Sequence, residues 1–143
     1  MTTIAYRDGV IAFDSRVCED DLILSDSYNK SYESDALNIF YAGDVLMLPA
    51  LVECLKGGEA PNVGEIEAIV WTGNILLWVV LEQGMFFKTP MELGARFAIG
   101  SGKAHAYTAM DMGADAVTAV KMAAKRDKNT GGSVNTFSIV FYS

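Results

Sequence analysis

The 143-residue chain is poor in several things that catalytic and membrane proteins commonly use. It has one histidine, His105, so any Ser-His-Asp or Cys-His site would have to run through that residue alone. Its two cysteines, Cys18 and Cys54, are far apart and fit neither a disulfide framework nor a zinc site. No metal and no cofactor are therefore expected. The longest strongly apolar stretch, residues 75–81, is seven residues long. A membrane helix needs roughly 20. Residues 1–20 lack a basic start followed by an apolar block, so no signal peptide is expected and a cytoplasmic location is the default. Positive charge is also short, with 11 Lys and Arg against 18 Asp and Glu, a net of −7. That balance argues against a nucleic-acid partner. The densest basic group, Lys121, Lys125, Arg126 and Lys128, falls at a helix end and reads as a solvated tip. There is no internal repeat, low-complexity tract or linker, so one domain over residues 1–143 is expected.

What is present is a succession of hairpins. Residues 2–6 and 10–14 are β-rich runs, and Arg7-Asp8-Gly9 supplies turn chemistry between them. A second strand pair is expected at residues 22–25 and 28–32, then a buried strand at 38–41. Residues 45–55 turn helical, with Pro49 tolerated if the regular helix starts near Leu48, and Gly57-Gly58 ends the helix. Thr72-Gly73-Asn74 marks a hairpin within residues 65–81, and residues 86–87 and 96–99 read as further strands. After Gly100-Ser101-Gly102 comes an alanine-rich helix to about Met112. A second helix is expected at 115–125, a turn at 127–132 and a closing strand at 134–142. Antiparallel hairpins with helices gathered in the middle and near the end argue for an α+β fold rather than alternating βαβ units.

The candidate chemistry begins at Met1-Thr2-Thr3. A small second residue allows the initiator methionine to be trimmed, leaving a free α-amine on a threonine. Such a residue combines nucleophile and base, because its amine, with an unperturbed pKa of roughly 7.7–8.0, can take the hydroxyl proton. The run from Thr2 to Arg16, ending Ala12-Phe13-Asp14-Ser15-Arg16, resembles the start of mature proteasome β subunits and of the bacterial protease HslV. Lys30 lies 16 residues after Asp14 and is the only lysine before Lys56. Phe40-Tyr41-Ala42-Gly43 before a helix, Gly100-Ser101-Gly102 and Asp127-Lys128-Asn129-Thr130-Gly131-Gly132 extend the resemblance along nearly the whole chain. In the last motif Thr130 stands where the family usually has serine.

The resemblance implies an N-terminal nucleophile (Ntn) hydrolase fold, a four-layer αββα sandwich with two antiparallel sheets between helix layers. It implies a threonine peptidase in which Thr2 attacks, Lys30 and Asp14 tune it, the Gly43 N–H stabilises the oxyanion, and Ser101 and Asp127 hold the amine. It further implies a homo-oligomeric ring, a polypeptide substrate and an AAA+ unfoldase as partner. The first hairpin is shorter than in the proteasome and HslV; symmetric trimming would keep Asp14 opposite Thr2, and asymmetric trimming would flip its side chain to the other face. Two other readings stand beside this one: a non-catalytic ring or shell protein that retains Met1, and an Ntn amidohydrolase acting on small amides. Of the remaining candidates, His105 reads as a helix histidine and Cys18 as a thiol with only Arg16 as a basic neighbour in sequence.

Overall fold

The computed structural model describes residues 2–34 and 36–139. Contacts divide the chain into two compact units, one made of residues 1–30 with 92–143 and the other of residues 31–91.

The first unit opens with β1 (Thr3–Arg7) and β2 (Val10–Phe13), paired antiparallel with Ile4 opposite Phe13 and Arg7 opposite Val10. Only Asp8 and Gly9 lie between the strands, at φ +51° and +80°. Two consecutive left-handed residues make the tight hairpin turn whose twist matches that of the strands, and Gly9 adopts it without Cβ strain. The chain then forms β3 (Val17–Glu19) and β4 (Leu22–Ser25), a separate two-stranded sheet in which Leu22, Ile23 and Leu24 are exposed.

The other unit holds a five-stranded antiparallel sheet. Its strands, β5 (Ser31–Ser34), β6 (Leu37–Gly43), β7 (Glu65–Trp71), β8 (Leu76–Glu82) and β9 (Met85–Met91), lie side by side in chain order. Between β6 and β7 runs a 3-10 turn, Val45–Met47, capped by Asp44, followed by α1 (Leu48–Leu55). Pro49 sits in the first turn of α1, where its missing N–H costs nothing. At the other end the Gly57 and Gly58 N–H groups bond back to the Cys54 and Glu53 carbonyls, closing the helix. Leu51 and Val52 of α1 pack with Ile39, Tyr41, Ile66, Ala68, Val70, Val79 and Leu81, which alternate along β6, β7 and β8.

The chain returns to the first unit as β10 (Phe97–Gly100), α2 (Lys103–Asp111), α3 (Ala116–Arg126) and β11 (Asn135–Ser138). Its four-stranded antiparallel sheet has the order β10-β1-β2-β11. Ala5, Ala12 and Ala98 on this sheet pack with Ala106, Met110, Ala116, Ala119 and Val120 of α2 and α3. Alanines on both sides allow the helices to approach the strands closely. Asp115 caps α3 by accepting from the Thr118 N–H, while Lys125 and Arg126 occupy its last turn, favourable for the helix dipole.

The fold is therefore α+β with antiparallel sheets, as the hairpin pattern predicts. One pairing differs from expectation. Leu22–Ser25 pairs with Val17–Glu19 rather than with residues 28–32, and Ser31–Ser34 pairs forward with Leu37–Gly43. Asp20, at φ +51°, supplies the left-handed conformation of the two-residue turn that closes β3 on β4. Part of the closing strand expected at 134–142 lies outside the described residues. Among the described residues no helix is long and apolar enough to cross a membrane. Replacing fully buried Leu51 by alanine should cost about 2–5 kcal/mol in denaturant unfolding, the range for a Leu→Ala cavity.

Candidate active site

Thr2 immediately precedes β1, and Asp14 immediately follows β2. Continued past its last pair, the ladder register sets Asp14 opposite Thr3 rather than Thr2, and the Asp14 N–H bonds to the Thr3 carbonyl at 3.3 Å. The short hairpin is thus not trimmed in the register that would oppose Asp14 to Thr2. Asp14 nonetheless reaches Thr2, because both lie beyond the strand ends, where pleat alternation no longer fixes side-chain direction. The Thr2 hydroxyl donates to Asp14 Oδ1 at 2.8 Å.

Asp14 is fully buried and richly hydrogen-bonded. Besides Thr2, its carboxylate accepts from the N–H groups of Thr3 (3.2 Å), Gly131 (2.9 Å) and Arg16 (3.3 Å). Lys30, on the segment between β4 and β5, brings its ammonium to 2.9 Å from Asp14 Oδ1 and donates to the Thr2 hydroxyl oxygen. The donor assignment follows from chemistry: the carboxylate only accepts and the ammonium only donates, so the Thr2 oxygen receives from Lys30 while its own proton points to Asp14. Burial drives the Lys30 pKa below the ordinary lysine value, partly countered by the charge and hydrogen bond of Asp14. Thr2 and Lys30 are 2% and 5% exposed, so this ion pair works in a low-dielectric setting, where its effect on the hydroxyl is largest.

A second carboxylate lies alongside. Asp127 closes α3 and begins the turn to β11. Its Oδ2 accepts from the hydroxyls of Ser101 (2.5 Å) and Thr130 (2.7 Å), and its Oδ1 from the Asn129 N–H (3.1 Å). Burial raises the Asp127 pKa, but these hydrogen bonds outweigh it and hold the carboxyl below the usual aspartate range. The Ser101 hydroxyl also lies 3.3 Å from the Thr2 carbonyl oxygen. Thr2, Asp14, Lys30, Ser101 and Asp127 thus fall together in the first unit. Gly43 belongs to the other unit, where it ends β6 opposite Ile66.

Several contributors carried no distinguishing sequence signal. The Gly131 and Thr3 N–H groups on Asp14 are backbone donors, visible only once the turn is folded. Arg16 pairs with Asp26 through two nitrogens (2.8 and 3.2 Å) and donates to the Lys128 carbonyl, tying the turn after α3 to the end of β2. His105 is exposed on α2 and makes none of these contacts. Among the described residues no group of three His, Cys, Asp or Glu side chains is placed to hold a metal.

No protein-family model matches the chain, and no curated protein matches it by sequence. Its three-dimensional similarity to solved structures is nearly full-length. BPH of Thiobacillus denitrificans superposes with a TM-score of 0.69 at 16% identity, covering 97% of this chain and 98% of BPH. The same protein in complex with epoxomicin gives 0.68 at 16% identity and the same coverage. HslV from Trypanosoma brucei gives 0.67 at 16% identity, covering 95% of this chain and 97% of HslV. The chain has the HslV fold. Within that fold the Thr2 cluster joins the N-terminal strand, the end of its hairpin and the turn after α3, positions far apart in the sequence.

The two partners of the buried ion pair should respond unequally to deletion. Asp14→Ala leaves the Lys30 ammonium buried and uncompensated, and should cost about 3–5 kcal/mol. Lys30→Met should cost less, because Asp14 keeps its hydroxyl and backbone donors. Chemical denaturation of both variants checks the order.

Proposed function

We propose that this chain is a threonine peptidase of the proteasome β/HslV type, with Thr2 as its N-terminal nucleophile after Met1 is removed. The observation that carries the reading is the buried Thr2 hydroxyl held between the Lys30 ammonium and the Asp14 carboxylate. Ammonium donation to the hydroxyl oxygen lowers its proton affinity and favours the developing alkoxide. The likeness to HslV in fold and the position of Thr2 immediately before β1 support the reading.

The steps follow from the groups present once the α-amine is free. Thr2 Oγ1 attacks the peptide carbonyl carbon while its proton passes to the Thr2 amine, and the carbonyl π electrons move to oxygen. The Gly43 N–H is the proposed donor to that oxyanion. Collapse breaks the carbon–nitrogen bond, and the amine proton goes to the leaving nitrogen. Water, deprotonated by the same amine, then attacks the ester carbonyl; the carbon–Oγ1 bond breaks, and the amine returns its proton to Thr2 Oγ1. Ser101 and Asp127 hold the amine end of Thr2, a role favoured by the Ser101 contacts to Asp127 and to the Thr2 carbonyl.

The proposal extends to assembly. Residues 1–143 would form one four-layer αββα domain, and copies would close into a homo-oligomeric cytoplasmic ring that confines the nucleophile. Polypeptide is the substrate class, and an AAA+ unfoldase is the partner that the resemblance to HslV suggests.

Intact-mass measurement should show loss of Met1. Purified protein should hydrolyse fluorogenic peptides, and Thr2→Ala should reduce that activity by at least about 10³-fold. Undiminished cleavage by Thr2→Ala would overturn the assignment. Epoxomicin, which forms a complex with BPH, should inhibit the wild type and fail to bind Thr2→Ala.

The pH profile supplies a further test. The Lys30 folded pKa is depressed, so its ammonium, and with it the activation of Thr2, is lost at a lower pH than for a free lysine. The alkaline limb of kcat should therefore begin below pH about 10.4. Stability should move the other way in that window. Above the folded pKa the unfolded chain binds more protons at this position, so unfolding free energy rises with pH up to the unfolded value. Rate and melting temperature measured across pH 8–10.5 check both directions.

A further inference from the structure

Thr3 is fully buried, directly follows the proposed nucleophile and plays no part in the steps above. Its hydroxyl lies 2.7 Å from the Thr130 hydroxyl. The direction of that bond follows from the next contact. Thr130 spends its single proton on Asp127 Oδ2, so it can only accept from Thr3. The result is a directed chain, Thr3 to Thr130 to Asp127, with Ser101 donating to the same carboxylate oxygen from the other side. Room for it is provided by Gly102, where any Cβ would collide with Thr3 Oγ1. The Thr3 backbone meanwhile donates to Asp14. Thr3 is thus one residue through which the two carboxylates of the site are linked.

We propose that Thr3 is a positioning residue of the Thr2 centre, its hydroxyl orienting Thr130 as a donor to Asp127 and so fixing Ser101 beside Thr2. Donation into Thr130 polarises the Thr130 O–H and strengthens its bond to the carboxylate, the usual cooperativity of hydrogen-bond chains. A threonine chosen only for β-propensity or volume would need no hydroxyl here; valine would serve equally well. The inference rests on the peptidase reading for its kinetic consequence, though not for the relay itself.

The test compares Thr3→Val, which keeps shape and removes the donor, with Thr3→Ser, which keeps the donor. Thr3→Val should lower kcat for peptide hydrolysis roughly two- to tenfold, the factor that one net hydrogen bond carries, with KM unchanged. Thr3→Ser should recover most of the loss. A carbon-13 NMR titration of the Asp127 carboxyl gives a readout independent of turnover. The groups facing that carboxyl are Ser101, Thr130, the Asn129 N–H and, through their charges, the N-terminal ammonium and Lys30. All of them persist in both variants, so a rise of the Asp127 pKa in Thr3→Val and not in Thr3→Ser isolates the relay. Wild-type kcat and titration in Thr3→Val would overturn the proposal, as would equal impairment of the two variants. If the wild type hydrolyses no peptide, the peptidase reading fails by itself, and the Asp127 titration alone decides the relay.

Discussion

The Lys30–Asp14 pair beside Thr2 sets the terms for everything around it. Two opposite charges taken out of water lose several kcal/mol of hydration each, and mutual attraction recovers that only if the remaining lone pairs and protons are satisfied. The chain meets this demand from several directions. The Thr3 N–H arrives from the first strand, the Arg16 N–H from beyond the hairpin, and the Gly131 N–H from the turn after α3. A turn more than a hundred residues away in sequence thus supplies one of the hydrogen bonds to this aspartate. Among the described residues no buried side-chain nitrogen or oxygen lacks a partner, which is the condition such a pair needs to persist.

That constraint explains features which otherwise look incidental. The tight Asp8-Gly9 turn makes the first hairpin short, and its shortness brings Asp14 to the end of the ladder, where its side chain can turn toward Thr2. Arg16, paired with Asp26, ties the α3–β11 turn to the hairpin through the Lys128 carbonyl, holding Gly131 within reach of Asp14. The alanine-rich contact of α2 and α3 with the sheet serves the same end, since it fixes Ser101 at the start of α2 and Asp127 at the end of α3. The site is thus a product of helix–sheet packing as much as of the residues that line it.

The legibility of these parts differed for physical reasons. The hairpins around Asp8-Gly9 and Thr72-Gly73-Asn74 could be read because turn residues and flanking β-rich runs are local signals. The α1 start at Leu48 followed from proline's missing N–H, and its end from Gly57-Gly58. The pairing of Leu22–Ser25 was misread, because two adjacent strand candidates offered themselves and Asp20 gave no sign that it would take a left-handed conformation. The register of Asp14 stayed open between symmetric and asymmetric trimming, since loop length alone does not say how strands are trimmed. Thr3, Thr130 and Gly131 carry no sequence mark of their partners, because hydroxyl and backbone donors look the same wherever they occur.

The sequence by itself determined the order of chemical groups: a threonine at position 2, an aspartate at the end of a short hairpin, an isolated lysine, and a serine and an aspartate in two glycine-flanked turns. Types and spacing are enough to name candidates, because a nucleophile, a cation and carboxylates are few and chemically distinct. Only the tertiary structure decided that Thr2, Asp14 and Lys30 meet within hydrogen-bond distance in a buried place, and that Asp127 is reached from Thr3 through Thr130. Those outcomes depend on desolvation and on hydrogen-bond direction. Both are properties of the space around a group, and the chain acquires that space only when its distant segments pack together.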